Sequence, residues 1–171
     1  MDTKAITILS YQQILQIGEK YKNGASLEEL MAFAEDQVQK CAVYFYADNL
    51  KFFAKSGRVS GISAVMGTLI GIKPIIYMNE EGKMVTFTKA VGRKKAIDVL
   101  IDKVVELQDH IEDYPVVVGN ADCPELAKEV ADKLQEKFGG KLNIVFGTVN
   151  PTAGAHCGPD TLGIAFHAIH R

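Results

Sequence analysis

The sequence predicts an α/β domain: a mixed β-sheet backed by helices in two layers, preceded by a helical hairpin. Three features lead to this. Capping signals followed by apolar residues at three- and four-residue spacing open the chain, short β-branched and aromatic runs recur from residue 42, and helical periods alternate with those runs. Residues 1–41 therefore form the hairpin segment and residues 42–171 the mixed-sheet core of a single domain.

The first run, Ala5-Ile6-Thr7-Ile8-Leu9, is strand-like. Ser10 with Gln13, and Ser26 with Glu29, fit the capping box, in which each partner satisfies an orphan backbone N–H at a helix start. Ile14, Leu15 and Ile17 give the first helix an apolar stripe, and Asn23-Gly24 stops it. Leu27, Leu30, Met31, Ala34, Val38 and Cys41 line the second. Residues 42–46 are aromatic and β-branched, hence a strand, followed by a helical segment over 49–55. Residues 62–70 are apolar on nearly every side, which predicts a helix buried all round. Residues 72–78 and 84–88 flank Asn79-Glu80-Glu81-Gly82 and form a hairpin. Ile97, Leu100, Ile101, Val104, Val105 and Ile111 share one face of a long helix over 93–111. Residues 116–118, 124–138 and 143–146 read as strand, helix and strand, with Asp122 and Glu125 capping the helix. Residues 150–160 read as irregular chain before a last strand over 161–168.

The 171 residues carry 19 Lys+Arg against 21 Asp+Glu, a net charge of −2, and 47% are hydrophobic. That composition supports a folded core and excludes a disordered chain. A duplex-DNA binder must neutralise many phosphates, so nucleic acid is not an expected partner. Cys41, Cys123 and Cys157 form no CxxC pair and no even disulfide framework, which suits a reducing cytoplasm. The start lacks the basic and apolar regions of a secretory signal. No apolar stretch approaches the ~20 residues of a membrane helix. The first strand-like run follows no loop, so the chain is expected to begin inside a larger protein.

Few residue groups suggest chemistry. Arg93, Lys94 and Lys95 open the long helix, where the helix dipole already disfavours cations, so an anionic or acidic partner is one reading and a solvated turn the other. Residues 56–61 supply glycines, hydroxyls and Arg58 ahead of a helix but lack phosphate-loop spacing and its Lys. His156 and Cys157 would point apart in a strand-like segment, which disfavours a Cys–His nucleophile. His167 and His170, three apart on a strand, would face opposite ways, which disfavours zinc shared with His156 and Cys157. No catalytic and no metal-binding residue is assigned.

Four segments in register resemble the DegV family of bacterial fatty-acid-binding proteins: Leu50-Lys51-Phe52-Phe53-Ala54-Lys55-Ser56-Gly57-Arg58-Val59-Ser60, Gly67-Thr68-Leu69-Ile70-Gly71-Ile72-Lys73-Pro74-Ile75, Gly92-Arg93-Lys94-Lys95-Ala96 and His156-Cys157-Gly158-Pro159-Asp160-Thr161-Leu162-Gly163. The resemblance implies a non-enzymatic lipid carrier without a cofactor. Its ligand is one long-chain fatty acid in a buried apolar pocket, and it presents the acyl chain to a separate fatty acid kinase subunit. His156 and Arg58 would stand near the carboxylate, and Ile62, Val65, Met66, Leu69 and Ile70 would wall the acyl chain. Where many relatives read His-x-Gly-Pro-Gly, this chain has Asp160, an awkward neighbour for a carboxylate unless it faces solvent. The family's opening α/β half, whose hydroxyl residues hold the carboxylate, is absent, so the chain is expected to be a C-terminal portion with one pocket wall missing. That surface also leaves room for a homodimer. The alternative reading is an interaction module that docks a kinase partner through Arg93, Lys94 and Lys95.

Overall fold

The computed structural model describes residues 2–57 and 71–171. Helices α1 (Thr7–Lys22) and α2 (Leu27–Lys40) precede strand β1 (Cys41–Tyr46) and the short α3 (Lys51–Lys55). Then come β2 (Ile72–Met78), β3 (Met84–Val91), α4 (Arg93–Leu107), β4 (Pro115–Ala121), α5 (Pro124–Lys137), β5 (Asn143–Thr148), α6 (Pro151–Cys157) and β6 (Thr161–His167). The six strands form one sheet in the order β3-β2-β1-β6-β4-β5. Among the described residues only β4 and β5 pair in parallel, with α5 as their crossover; the other four pairings are antiparallel, so the sheet is mixed as expected.

Alternation along the central strands separates two cores. Ala42, Tyr44 and Tyr46 of β1, Val116 and Val118 of β4, and Leu162, Ile164 and Phe166 of β6 face α4 and α5, joining Ile97, Leu100, Val104, Val130 and Leu134. The opposite face presents Val43, Val117 and Ala165 to Ile8 and Leu9 of α1. Helices thus cover both faces, and α1 adds a third layer beside the two expected.

Four local expectations are corrected. The 5–9 run is not a strand: Ile6 is the extended N-cap of α1, and Ser10 lies inside the helix without capping it. The helix consequently buries Ile8, Leu9, Gln12, Gln13 and Gln16, while Ile14 is 63% exposed. The inward amides are partly paired: Gln12 Nε2 donates to the Pro115 carbonyl and Gln13 Nε2 to that of Thr3, each at 3.4 Å. The long helix ends at Leu107, not 111, and Ile111–Asp113 form a separate 3-10 turn. Cys123, not Asp122, is the N-cap of α5, and Asn120 Oδ1 accepts its backbone N–H at 3.1 Å. Residues 151–157, expected to be irregular, are helix α6. Asn150 caps it through Oδ1 accepting from Ala153 N at 3.0 Å, and Pro151 occupies the first turn, where it has no N–H to waste. The expected helix over 62–70 lies outside the described residues.

Candidate functional site

On the α1 face, a cavity of about 330 Å³ opens between the sheet, the start of α1, α3 and α6. This is within the range of small-ligand pockets. Its walls are mostly apolar: Ile6 and Ile8 from α1 and its cap, Val43 and Phe45 from β1, Phe53 from α3, Met78 and Met84 from the β2–β3 hairpin, and Val149 after β5. Polar groups gather toward α6, where Asn150, Thr152 and His156 line it together with Thr7 and Thr161. Strand order sets the polarity. Met78 on β2 is two strands removed from Gly163 on β6, about 10 Å across at the usual interstrand spacing, and two residues further along, so the cavity crosses the strands obliquely with its methionines on the β2–β3 side.

Helix α6 delivers the polar end because both of its ends are tied. Asn150 caps its start, and the Thr161 hydroxyl donates to the Cys157 carbonyl at 3.0 Å. Gly158 follows at φ 79, where a Cβ would also run into the Phe52 ring, so only glycine permits this turn against α3. His156 is half-buried, and its Nδ1 is buried with no hydrogen-bond partner among the described residues. His156 lines the cavity, and its unpartnered nitrogen leaves hydrogen-bonding capacity unused beside it. Cys157 does not share that chemistry. Its sulfur lies 3.7 Å from the Gly158 carbonyl oxygen, and burial pushes the thiol up, so it stays protonated rather than becoming a nucleophilic thiolate.

The other expected residues fall in different places. Arg58 and the acyl-wall residues Ile62, Val65, Met66, Leu69 and Ile70 lie outside the described residues. Arg93 at the start of α4 is engaged: its guanidinium meets Asp48 at 3.4 Å and Asp160 at 3.3 Å, and Asp48 also binds Lys73 at 2.7 Å. Asp160 is therefore partnered by a cation and 45% exposed, which removes the electrostatic objection to an acid at this position. Lys94 and Lys95 are exposed. His167 is buried at the far end of β6, stacked on Tyr114 with ring centroids 3.8 Å apart, and six strand residues beyond Thr161. At about 3.4 Å per residue this puts it roughly 20 Å from the α6 end of the strand. Among the described residues no group of three or more His, Cys, Asp or Glu comes together to hold a metal, and no helix is long and apolar enough to cross a membrane.

Sequence reasoning missed most of the cavity wall. Phe45, Phe53, Met78, Met84 and Val149 come from four separate elements and a loop, and nothing local marks them as neighbours. Asn150-Pro151 was the available signal, since Asn before Pro marks a helix start and would have put His156 on a helix.

The profile of the DegV family, described as an uncharacterised protein family, matches residues 1–168. A DegV domain-containing protein of Clostridium perfringens is 29% identical over 166 residues, covering 97% of this chain and 57% of that protein. One from Clostridium acetobutylicum is 34% identical over 167 residues, covering 95% and 58%. This chain thus spans a little more than half the length of the relatives it matches. The crystal structure of a Ruminococcus gnavus DegV family protein with vaccenic acid superposes with a TM-score of 0.86 at 24% identity, covering 96% of this chain and 58% of that one. A fatty acid kinase B3 protein of Streptococcus pneumoniae loaded with linoleic acid superposes with a TM-score of 0.79 at 17% identity, covering 91% and 54%. At these identities the structural likeness establishes the fold. With the family profile matched from residue 1 to residue 168 and the mixed-sheet fold shared, this chain belongs to the DegV family.

Proposed function

We propose that this protein binds one long-chain fatty acid, with the acyl chain in the apolar cavity and the carboxylate at the α6 end, and that it serves as a carrier rather than an enzyme. The observation that carries this reading is His156, which lines the polar end of a mostly apolar cavity and whose Nδ1 has no hydrogen-bond partner among the described residues. An acyl tail needs dry walls with few polar groups, and its carboxylate needs a donor at one end. His156, which lines the polar end, supplies that donor. Arg58 is proposed as a second head-group cation, and Ile62, Val65, Met66, Leu69 and Ile70 as further acyl wall.

A carboxylate held at the rim is positioned for presentation to a fatty acid kinase, the partner suggested by the Streptococcus pneumoniae relative. Lys94 and Lys95, exposed at the start of α4, are the residues proposed for that docking, with Arg93 fixed among Asp48 and Asp160. The relatives' extra length supports a further wall of the pocket supplied by polypeptide beyond these residues. The exposed Tyr11, Ile14, Tyr21, Leu27 and Met31 of the helical pair are apolar surface for it to cover.

The test is lipid extraction and mass spectrometry of the protein expressed with all the flanking polypeptide its gene encodes. One long-chain fatty acid per protein is expected. His156→Ala should weaken binding by about tenfold, the worth of one hydrogen bond to a charged group. Absence of any acyl chain, together with no thermal shift on adding oleate or palmitate, overturns the reading.

A further inference from the structure

The residues beneath the cavity belong to a row that continues across the sheet beyond it. Phe45 on β1 pairs with Gly163 on β6, Gly163 with Gly119 on β4, and Gly119 with Gly147 on β5. Three glycines in register on three adjacent strands leave a trough without side chains that crosses two interstrand spacings, about 10 Å. It lies on the α1 face, in line with the cavity.

Ile8 spans the trough, with Phe45 Cβ nearer at the Gly163 end and Val117 Cγ1 nearer at the Gly147 end, where Tyr11 also reaches. A Cβ at Gly163 would lie 3.2 Å from Ile8 Cδ1 and one at Gly147 3.4 Å from Ile8 Cγ2, and a Cβ at Gly119 would overlap Ile8 outright. Ile8 is only 5% exposed and, like Gly163, also lines the cavity. It therefore stands between the open space and the glycine trough. The preceding residue is held under tension. Thr7 adopts φ 45, which a β-branched residue rarely does, while its Oγ1 accepts the Asn150 backbone N–H at 3.3 Å.

We infer that Ile8 is a specificity-determining stop that limits how far an acyl chain can run along the sheet, with the Gly163-Gly119-Gly147 trough as the space it closes off. This inference rests on the fatty-acid reading above. Apolar pockets discriminate chain length by what blocks their end, and one or two methylenes are worth about ten- to a hundredfold. Trimming Ile8 joins trough to cavity, and putting a methyl back on the trough floor closes it again.

The experiment measures the relative affinity of the full gene product for myristate, palmitate, stearate and arachidate by competition. Ile8→Ala should shift preference toward the longer chains by about tenfold, and Ile8→Val, which keeps most of the packing, should shift it the same way by less. Adding Gly119→Ala to Ile8→Ala should restore the original preference. If Ile8 matters only for packing α1, Ile8→Ala lowers the melting temperature and leaves chain-length preference unchanged, which overturns the inference while leaving the fatty-acid reading intact. Should Ile8→Ala fail to fold, an unchanged preference in Ile8→Val overturns it equally. Wild-type protein that binds none of the four acids overturns the fatty-acid reading itself.

Discussion

His167 is a buried histidine that the proposed site does not use. It is 3% exposed and stacked on Tyr114, its Nδ1 has no partner among the described residues, and its Nε2 is 3.7 Å from Asp109 Oδ2. Burial holds its pKa below the ordinary 6.5, against the pull of Asp109, so the native ring stays neutral at pH values where the unfolded chain takes up a proton. The sign follows from proton counting. Between the lowered native pKa and 6.5 the unfolded state binds more protons, so stability falls as the pH drops through that window. Melting temperatures of the wild type should therefore decline from about pH 6.5 downward. His167→Phe keeps a ring on Tyr114 but has nothing to titrate, and its profile should be flatter. Identical slopes for the two proteins would assign the acid sensitivity to other groups.

Helix starts show what a local pattern does and does not determine. Ser26 and Glu29 form a complete capping box: Ser26 Oγ accepts Glu29 N–H at 3.2 Å, and Glu29 Oε2 accepts Ser26 N–H at 2.8 Å. Ser26→Ala should cost about 1 kcal/mol of stability, read by urea denaturation, while Ser26→Asp should recover most of it. An unchanged midpoint for Ser26→Ala would mean the box adds nothing beyond the packing of Ala34 and Val38. Ser10 and Gln13 have the same spacing but cap nothing, because α1 already starts at Thr7, where Ile8 finds its glycine seat. Tertiary fit overrode a four-residue signal. The resulting shift also explains why the apolar stripe expected at Ile14 faces outward while three glutamines face inward. By contrast the β2–β3 hairpin, the β4–α5–β5 unit and strand β6 were legible, since each carries a strong period or a turn with its required glycine. The seven-residue α6, built largely of small residues, is too short to display a period.

At the scale of the whole molecule, the cavity is assembled from residues between Ile6 and Gly163, so its wall could not be read from any one stretch of sequence. His156 was legible through the family motif, but its exposure to the cavity depends on α6 packing against α3. The start of the chain reaches the cavity through long-range bonds that no motif encodes. Arg171 is 5% exposed, and among the described residues its guanidinium bonds backbone acceptors: Nη1 donates to the Lys4 carbonyl at 2.6 Å, Nη2 to that of Thr3 at 3.1 Å, and Nε to that of Cys41 at 3.3 Å. These bonds join the segment before α1 to the start of β1, and through it they hold Ile6, Thr7 and Ile8 against the cavity. Hydrogen bonds to a charged group at a buried site are worth more than exposed ones. Arg171→Leu should therefore cost about 2 kcal/mol in urea denaturation. It should also raise amide hydrogen exchange selectively over residues 2–9 and speed the loss of bound fatty acid. A variant that loses global stability with no selective increase in exchange over residues 2–9 would show that Arg171 supports the core without holding the cavity wall.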